Sequence, residues 1–147
     1  MRSILTVCVG NICRSPMAEG LLRRKLGTHV SVTSAGLNAL VGSPVDQTVQ
    51  DLMNANGIDV TEHRARQVIA PLCMAADLIL VMEDKQKVFL QKKYPFIRGK
   101  TFRLGEFGDF DVDDPYRREH SIYEKCLDLV DRGVSDWIKQ LSQLNGR

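Results

Sequence analysis

A cysteine and an arginine stand near the start of the chain with five residues between them. Residues 8–15 read Cys-Val-Gly-Asn-Ile-Cys-Arg-Ser, so Cys8 begins this segment and Arg14 lies near its end. A cysteine thiolate is a strong nucleophile, and a helix N-terminus with a neighbouring cation favours the thiolate form. A guanidinium donates two parallel hydrogen bonds to phosphate oxygens. The residue types and their spacing therefore predict attack of the Cys8 sulfur on the phosphorus of an ester held by Arg14.

The flanking elements predict how this segment is positioned. Residues 3–7 form an apolar run typical of a buried strand, and a helix pattern follows, with Ser15 as N-cap and Pro16 in the first helical position. A turn between strand and helix directs backbone N–H groups into one concavity, where the helix N-terminus adds partial positive charge. The residues expected to bind a tetrahedral oxyanion in this turn are Val9, Gly10, Asn11, Ile12, Cys13, Arg14 and Ser15.

The rest of the chain alternates between strand and helix patterns. Strands are predicted at residues 3–7, 30–35, 78–82 and 101–104, and helices at 16–26, 45–56, 71–76, 83–93 and 122–144. Alternation implies a parallel sheet covered by helices on both faces. In such sheets ligands bind at the carboxyl ends of the strands, where residues 8–15 leave the first strand. We expect loops 36–42, 63–67 and 105–117 to reach the same edge.

Three local expectations concern the helices. Ser43 and Pro44 predict the start of the second helix, as N-cap and first helical residue. In the 83–93 helix, the apolar Val88, Phe89 and Leu90 are expected to face the core. The apolar spacing of residues 122–144, including Leu144, predicts a long terminal helix with one face on the core.

Composition excludes several classes of protein. The chain has 147 residues, of which 44% are hydrophobic and 26% charged, which is typical of a soluble globular domain. A net charge of +2, with Lys and Arg clustered only at residues 22–25, gives no reason to expect binding to nucleic acid or an anionic membrane. No apolar run approaches a membrane span or a signal peptide, and four scattered cysteines do not form a disulfide framework. We therefore expect a cytoplasmic protein with reduced thiols and no membrane insertion.

The Cys-x5-Arg-Ser pattern, with its Gly-Asn-Ile-Cys interior and the following Pro16, Ala18 and Glu19, closely resembles the low-molecular-weight protein tyrosine phosphatases. Segments 34–36, 63–67, 77–80 and 114–117 extend the resemblance along nearly the whole chain. The resemblance implies a single domain over residues 1–147. It also implies a three-layer α/β/α sandwich with a four-stranded parallel sheet, the flavodoxin-like phosphotyrosine phosphatase I fold.

The resemblance also implies roles for particular side chains. Asp114, immediately before Pro115, corresponds to the general acid, although Asp113 stands beside it. Cys13 is expected to trap oxidised Cys8 as a disulfide. The residues expected to brace the turn are Asn11, Ser15, Ser34 and His63, with the Ser15 hydroxyl stabilising the Cys8 thiolate. Ile12, Leu40 and Tyr116 are the expected walls of the substrate cleft.

No metal or cofactor is expected. Residues 109–113 resemble the start of a calcium loop, but the sixth position is Asp114 and the twelfth is His120, where such a loop needs Gly and Glu. Cys8 and Cys13 lack the second pair of ligands that a zinc site requires. In the predicted site, turn amides and Arg14 neutralise the phosphate oxygens instead.

The resemblance implies a phosphotyrosine protein as substrate, for example a bacterial tyrosine kinase of capsule or exopolysaccharide export, and a monomer or weak dimer. Two alternatives on the same fold remain. In arginine phosphatases a threonine replaces the residue that is Ile12 here, and arsenate reductases use two further cysteines, of which this chain has only Cys73 in the corresponding region. A phosphate-binding module without catalysis is the alternative from a different class.

Overall fold

The computed structural model describes residues 1–145 and contains a four-stranded sheet in which all paired strands are parallel. The strands are β1 (Ser3–Cys8), β2 (Ser31–Gly36), β3 (Leu78–Val81) and β4 (Thr101–Arg103). Their order across the sheet is β2-β1-β3-β4. The predicted parallel sheet of four strands is confirmed.

In the described part of the chain, five α-helices connect and cover these strands. They are α1 (Arg14–Leu26), α2 (Gln47–Ala55), α3 (Ala70–Ala75), α4 (Asp84–Lys93) and α5 (His120–Asn145). Two 3₁₀ helices, Pro95–Lys100 and Glu106–Gly108, flank β4. Within residues 1–145, none of the helices combines the length and apolar character needed to cross a bilayer.

Side chains alternate between the two faces of the sheet and form two separate cores. Ile4 packs into the core that includes α1 and α5, whereas the next residue, Leu5, packs into the core that includes α3 and α4. Successive strand side chains point to opposite faces, so a strand buried on both sides has a continuous apolar sequence. The three-layer arrangement is therefore confirmed.

The strand order places the start of α1 where the chain connections on the two sides of β1 run in opposite directions across the sheet. The chain leaves β1 for β2 on one side and later returns to β3 on the other side of β1. Such a reversal opens a crevice at the carboxyl end of the sheet, where the connections diverge. The residues that follow β1 lie at this crevice.

The starts of two helices differ from prediction. Helix α1 begins at Arg14 with Cys13 at the N-cap, so the expected capping role of Ser15 is wrong. The Ser15 hydroxyl is instead occupied by contacts inside the turn. Helix α2 begins at Gln47, not near Val45, because the Asp46 carboxylate accepts the N–H groups of Thr48 and Val49.

The surface of α4 also departs from prediction. Leu90 is fully buried, but Val88 and Phe89 are 47% and 52% exposed, so the expectation that they face the core is wrong. The expectation that basic residues cluster only at 22–25 is wrong as well, since residues 85–100 contain six Lys and Arg. Near the C-terminus Leu144 is exposed, although most of the predicted apolar face of α5 is buried.

Candidate active site

The turn between β1 and α1 wraps around the sulfur of Cys8. The Sγ atom lies 2.9 Å from the Ser15 hydroxyl, and the backbone N–H of Asn11 donates to it at 3.3 Å. Cys8 is 2% exposed and Ser15 is fully buried. Hydrogen bonds to the charged form of an acid favour that form. The hydroxyl and the amide are therefore placed to stabilise a thiolate on Cys8.

Asn11 fixes the shape of this turn through its side chain and its backbone. It adopts a left-handed conformation (φ 62°), which asparagine tolerates better than most residues. Its Nδ2 donates to Ser15 Oγ at 2.8 Å and to Ser34 Oγ at 3.0 Å. Its Oδ1 accepts from the Arg66 N–H at 2.9 Å, and its carbonyl accepts from His63 Nε2 at 2.8 Å. The four residues predicted to brace the turn form one network.

The loop after β2 holds the other side of the turn through backbone hydrogen bonds. Donors in this loop reach carbonyls in the turn in four pairs: Leu37 to Cys8, Asn38 to Val9, Leu40 to Gly10 and Asp46 to Ile12. A side chain on Gly36 would collide with the Val9 carbonyl, so the close approach of β2 to the turn requires glycine. The turn is therefore held by the ends of two strands and the loop between β2 and α2.

Arg14 is buried with one edge of its guanidinium paired. Its Nη1 donates to Glu83 Oε1 and to the Val112 carbonyl, both at 2.8 Å. Among residues 1–145, its Nε is the single buried side-chain nitrogen or oxygen without a hydrogen-bond partner. Burial opposes the charge, but Cys8 and the hydrogen bond to Glu83 outweigh it and raise the pKa of Arg14. The cation is thus fixed, with its Nε edge available to an anion.

Asp114 approaches this cation from the loop before α5. Its Oδ2 lies 3.9 Å from Arg14 Nη2, and its Oδ1 accepts from the backbone N–H of Tyr116 at 3.0 Å. The side chain is 50% exposed, which leaves it in contact with solvent. The Arg117 guanidinium lies over the Tyr116 ring, 5.2 Å from its centroid. The loop thus presents a carboxylate and an aromatic ring together.

These groups surround one cavity of about 210 Å³. Its lining residues are Cys8, Val9, Gly10, Ile12, Cys13, Arg14, Asn38, Leu40, Asp114 and Tyr116. All three residues predicted as cleft walls lie here, together with the three predicted to be catalytic. Asn11 and Ser15 lie behind the turn, where their side chains brace it. The cavity therefore combines a thiol, a guanidinium and a carboxylate with apolar walls.

Cys13 also lines this cavity. It is buried and not in a disulfide. Burial, with the Asp46 carboxylate as the next cause, raises the pKa of Cys13 well above its ordinary value. Cys13 is therefore a neutral thiol when Cys8 is reduced. Its redox role stays a prediction.

Comparison with known proteins identifies the family. A family model described as low molecular weight phosphotyrosine protein phosphatase matches residues 3–145. The chain belongs to this family. Among curated relatives, a probable low molecular weight protein-tyrosine-phosphatase, EpsP of Ralstonia nicotianae, is 47% identical over 144 residues, which cover 98% of this chain and 99% of the relative.

Solved structures of the family superimpose closely on this chain. Vibrio vulnificus Wzb in complex with benzylphosphonate has a TM-score of 0.90 and 38% identity, covering 95% of this chain and 98% of that one. The YwlE arginine phosphatase from Geobacillus stearothermophilus has a TM-score of 0.91 and 32% identity, covering 97% and 94%. The fold is therefore that of the phosphatase family, and fold similarity alone does not separate the two substrate classes.

The structure adds two carboxylates to this phosphatase site that sequence reasoning missed. Glu83 lies just after the carboxyl end of β3 and pairs with Arg14. Ligands of parallel sheets bind at this edge, so a buried acid there is a candidate site residue. Glu19 accepts from Ser34 Oγ at 2.6 Å and pairs with Arg23 at 2.6 Å. It thereby extends the bracing network of the turn to the outer face of α1. The i,i+4 spacing of Glu19 and Arg23 is a signal for their ion pair, whereas nothing in the sequence links Glu83 to Arg14 or Glu19 to Ser34.

Proposed function

We propose that this phosphatase hydrolyses phosphotyrosine in proteins through a cysteinyl-phosphate intermediate. The observation that carries the proposal is the convergence of the Cys8 thiol, the unpaired Nε of Arg14 and the Asp114 carboxylate on one cavity. A nucleophile, an anion-binding group and a proton donor are the parts that transfer of a phosphoryl group to sulfur requires. The family membership supports the same reaction.

The proposed reaction has two steps. The Cys8 sulfur attacks phosphorus while the bond from phosphorus to the phenolic oxygen breaks, and Asp114 gives its proton to that oxygen. Water then attacks the phosphorus of the cysteinyl phosphate, Asp114 takes a proton from the water, and phosphate and the Cys8 thiolate are released. General acid catalysis of this kind contributes about 10²- to 10⁴-fold.

Arg14 is proposed to hold the phosphoryl oxygens during both steps. Its Nη1 is already bound to Glu83 and Val112, so the Nε and Nη2 atoms are left to donate to two oxygens. A pre-positioned cation stabilises the charge that develops in the transition state without having to reorganise. The backbone amides of the turn are proposed to bind the remaining oxygens.

The apolar walls support an aryl phosphate as substrate. Ile12 is nearly buried at the base of the cavity, whereas Leu40 and Tyr116 stand partly exposed at its rim. A phenyl ring fits between such walls, and the exposed rim leaves room for the rest of a protein chain. We propose a phosphotyrosine protein as partner, such as a bacterial tyrosine kinase of exopolysaccharide export. Attack by a free thiol supports a reducing compartment such as the cytoplasm.

Arginine phosphatase activity is the second candidate, because an arginine phosphatase shares the fold with a TM-score of 0.91. A guanidinium leaving group needs a polar partner deep in the cleft, and the apolar Ile12 side chain at that position favours a phenyl ring. Arsenate reduction is less well supported. It requires a relay of thiols, and Cys73 packs in the core on the opposite face of the sheet from Cys8.

The test compares phosphotyrosine, phosphoserine and phosphoarginine peptides of matched sequence, with wild type and Cys8→Ser. We expect release of phosphate from phosphotyrosine alone, and none from the variant. Preference for phosphoarginine would overturn the aryl assignment, and activity in Cys8→Ser would remove Cys8 from the mechanism. For the acid, Asp114→Asn should slow the expulsion of poor leaving groups far more than of good ones, whereas Asp113→Asn should have little effect.

A further inference from the structure

The outward face of α4 and the 3₁₀ helix that follows it carry an unusual combination of side chains. Val88, Phe89 and Phe96 are 47%, 52% and 53% exposed. Exposed lysines at positions 85, 92 and 93 accompany them. We call these six residues the α4 surface. Exposed apolar side chains that are grouped together and bordered by polar residues mark interaction sites.

Helical spacing places the α4 members of this surface on one side. Residues 85, 88, 89, 92 and 93 differ by three, four, seven and eight positions, the spacing that keeps side chains on one helical face. The opposite side is used for folding, since Gln86 and Leu90 are buried. Folding therefore does not account for the apolar residues of the outward side.

The chain segment that carries this surface is strongly basic in sequence. Residues 85–100 contain six of the 20 Lys and Arg residues and none of the 18 Asp and Glu residues. The remaining 131 residues therefore hold 14 basic and 18 acidic side chains. The small net charge of +2 therefore combines a basic segment with an otherwise slightly acidic chain, and three of the six basic residues, Lys85, Lys92 and Lys93, belong to the α4 surface.

The lysines of the surface are largely available to a partner. Lys85 lies 3.6 Å from Glu83, whose other oxygen already pairs with Arg14. Lys93 lies over the Tyr94 ring, 5.7 Å from its centroid. In residues 1–145, no Asp or Glu carboxylate lies within 4.0 Å of the Lys92 or Lys93 ammonium. Lysines without an internal ion pair can pair with an anion on a partner and break no existing ion pair.

We infer that the α4 surface binds an anionic lipid bilayer. Binding to a bilayer strengthens with the apolar area that is buried and with attraction between cations and anionic headgroups, and the α4 surface offers exposed Phe and Lys side chains for these two contributions. Lysine stems lie along the apolar layer while their ammonium groups remain in the headgroups. A convex helix face fits a flat lipid surface better than a peptide, which needs a groove or a sheet edge for its backbone.

Helix α4 begins close to the cavity, so binding of α4 to a bilayer would also position the cavity. The helix begins immediately after Glu83, which contacts Arg14, so the Lys85 end of the α4 surface lies at the carboxyl edge of the sheet and the Lys92 and Lys93 end lies toward the opposite edge. The cavity would then lie near one end of the bound face, which would favour a phosphotyrosine on a membrane-anchored protein as substrate. This consequence rests on the proposed function, whereas lipid binding itself does not.

The test is sedimentation of the full chain with vesicles of phosphatidylcholine alone and with vesicles rich in phosphatidylglycerol. We expect binding only to the anionic vesicles, and weaker binding at higher salt. Lys92→Gln/Lys93→Gln should reduce binding by roughly tenfold or more, and Phe89→Ser by several-fold. The control is Lys125→Gln/Lys139→Gln, which removes two exposed lysines from α5 and should bind like wild type.

Three results would overturn the inference. They are no sedimentation of wild type with anionic vesicles, an equal loss in the α4 and α5 double variants, and binding to a polyglutamate peptide without binding to vesicles. The last result would assign the surface to an acidic polypeptide. Hydrolysis of p-nitrophenyl phosphate without vesicles should be unchanged in every variant, because none of these residues lines the cavity. Failure of the proposed function would appear in that assay, and failure of lipid binding would not.

Discussion

At the scale of single residues, Glu83 acts on the site through Arg14. Its Oε1 accepts from Arg14 Nη1 at 2.8 Å, and its side chain is only 14% exposed. Its Oε1 also accepts from Gln86 Nε2 at 3.1 Å, and Gln86 Oε1 accepts from the Glu83 backbone N–H at 3.0 Å at the start of α4. The same carboxylate therefore joins the start of a helix to the anion-binding cation. Glu83 does not line the cavity, so it is a positioning residue.

Glu83→Gln preserves the size of the side chain but replaces a charge-assisted hydrogen bond by a neutral one. We expect kcat/KM for phosphotyrosine peptides to fall by about tenfold or more, since charge-assisted bonds are roughly twice as strong as neutral ones. Arg14 keeps its bond to Val112, so the fall should lie in kcat more than in KM. Asp84→Asn removes the adjacent charge and serves as control. An equal loss in both variants would show a general effect of charge and not of positioning.

At the scale of elements, α5 approaches the end of β4 more closely than any side chain would allow. A Cβ on Gly133 would lie 2.8 Å from Leu104 Cγ and 2.9 Å from the Leu104 carbonyl oxygen. In a helix interior glycine is about 1 kcal/mol less favourable than alanine. The sequence shows only this local cost, whereas the structure shows the contact that requires glycine.

Gly133→Ala should therefore destabilise the protein despite the better helix propensity of alanine. We expect the free energy of unfolding to fall by about 1–3 kcal/mol, as for overpacked cores. Ser135→Ala, on the exposed side of the same helix, should be neutral or slightly stabilising. Denaturant unfolding of the three proteins measures the difference. A Gly133→Ala protein as stable as wild type would mean that α5 moves away from Leu104 without cost.

Tyr123 joins three elements next to the site. Its hydroxyl donates to Asp46 Oδ2 at 3.1 Å and accepts from the Arg117 N–H at 3.1 Å. It thus links the start of α5 to the cap of α2 and to the loop that carries Asp114. Burial raises the pKa of Tyr123 from 10.0 to about 12. Folding therefore favours the neutral phenol.

A raised pKa in the folded state gives stability that is complete below pH 10 and is lost between pH 10 and pH 12. Below pH 10, Tyr123→Phe should be less stable than wild type by about 1 kcal/mol, the net value of a typical hydrogen bond. The difference should narrow as the pH rises to 12. Urea unfolding at several pH values tests this, with Tyr94→Phe as the control. A gap between Tyr123→Phe and wild type that stays constant over that range would contradict the assignment.

At the scale of the whole molecule, apolar patterning was enough to predict the sheet. The continuous apolar runs of β1 and β3 and the spacing of α5 depend on burial, which the sequence encodes directly. The role of the turn at residues 8–15 could also be predicted, because the residues that carry its chemistry lie next to one another in the sequence. Cys8, Arg14 and Asp114 then meet because parallel strands end at one edge.

What the sequence did not predict depends on contacts between distant segments. Glu83 and Arg14 are 69 positions apart, and no local pattern joins them. Ser15 has the residue type of an N-cap, but its hydroxyl is used inside the turn by Cys8 and Asn11, as its second predicted role requires. Val88 and Phe89 are apolar, which predicts burial in the core, but their position on the helix leaves both side chains exposed. Residue type therefore predicts whether a residue lies in a helix or a strand better than it predicts which way the side chain points.

Occupation of the site by an oxyanion should stabilise the whole molecule. A ligand that binds only the folded state at 100 times its Kd adds about 2.7 kcal/mol, which is roughly 5 to 10 °C in Tm for a chain of this size. The buried Nε of Arg14 has no hydrogen-bond partner among the described residues, so phosphate in the cavity can accept from it. We therefore expect inorganic phosphate to raise Tm, measured against potassium chloride at equal ionic strength.

Variants assign this shift in Tm to the cavity. Arg14→Lys keeps the charge but loses the planar pair of donors, so phosphate should raise its Tm far less than that of wild type. Cys8→Ser should keep the shift, because the turn and Arg14 remain. Arg98→Lys makes the same exchange at an exposed site and should behave like wild type. If Arg14→Lys shifted as much as wild type, phosphate would be binding elsewhere, and the unpaired Nε would not be the anion site.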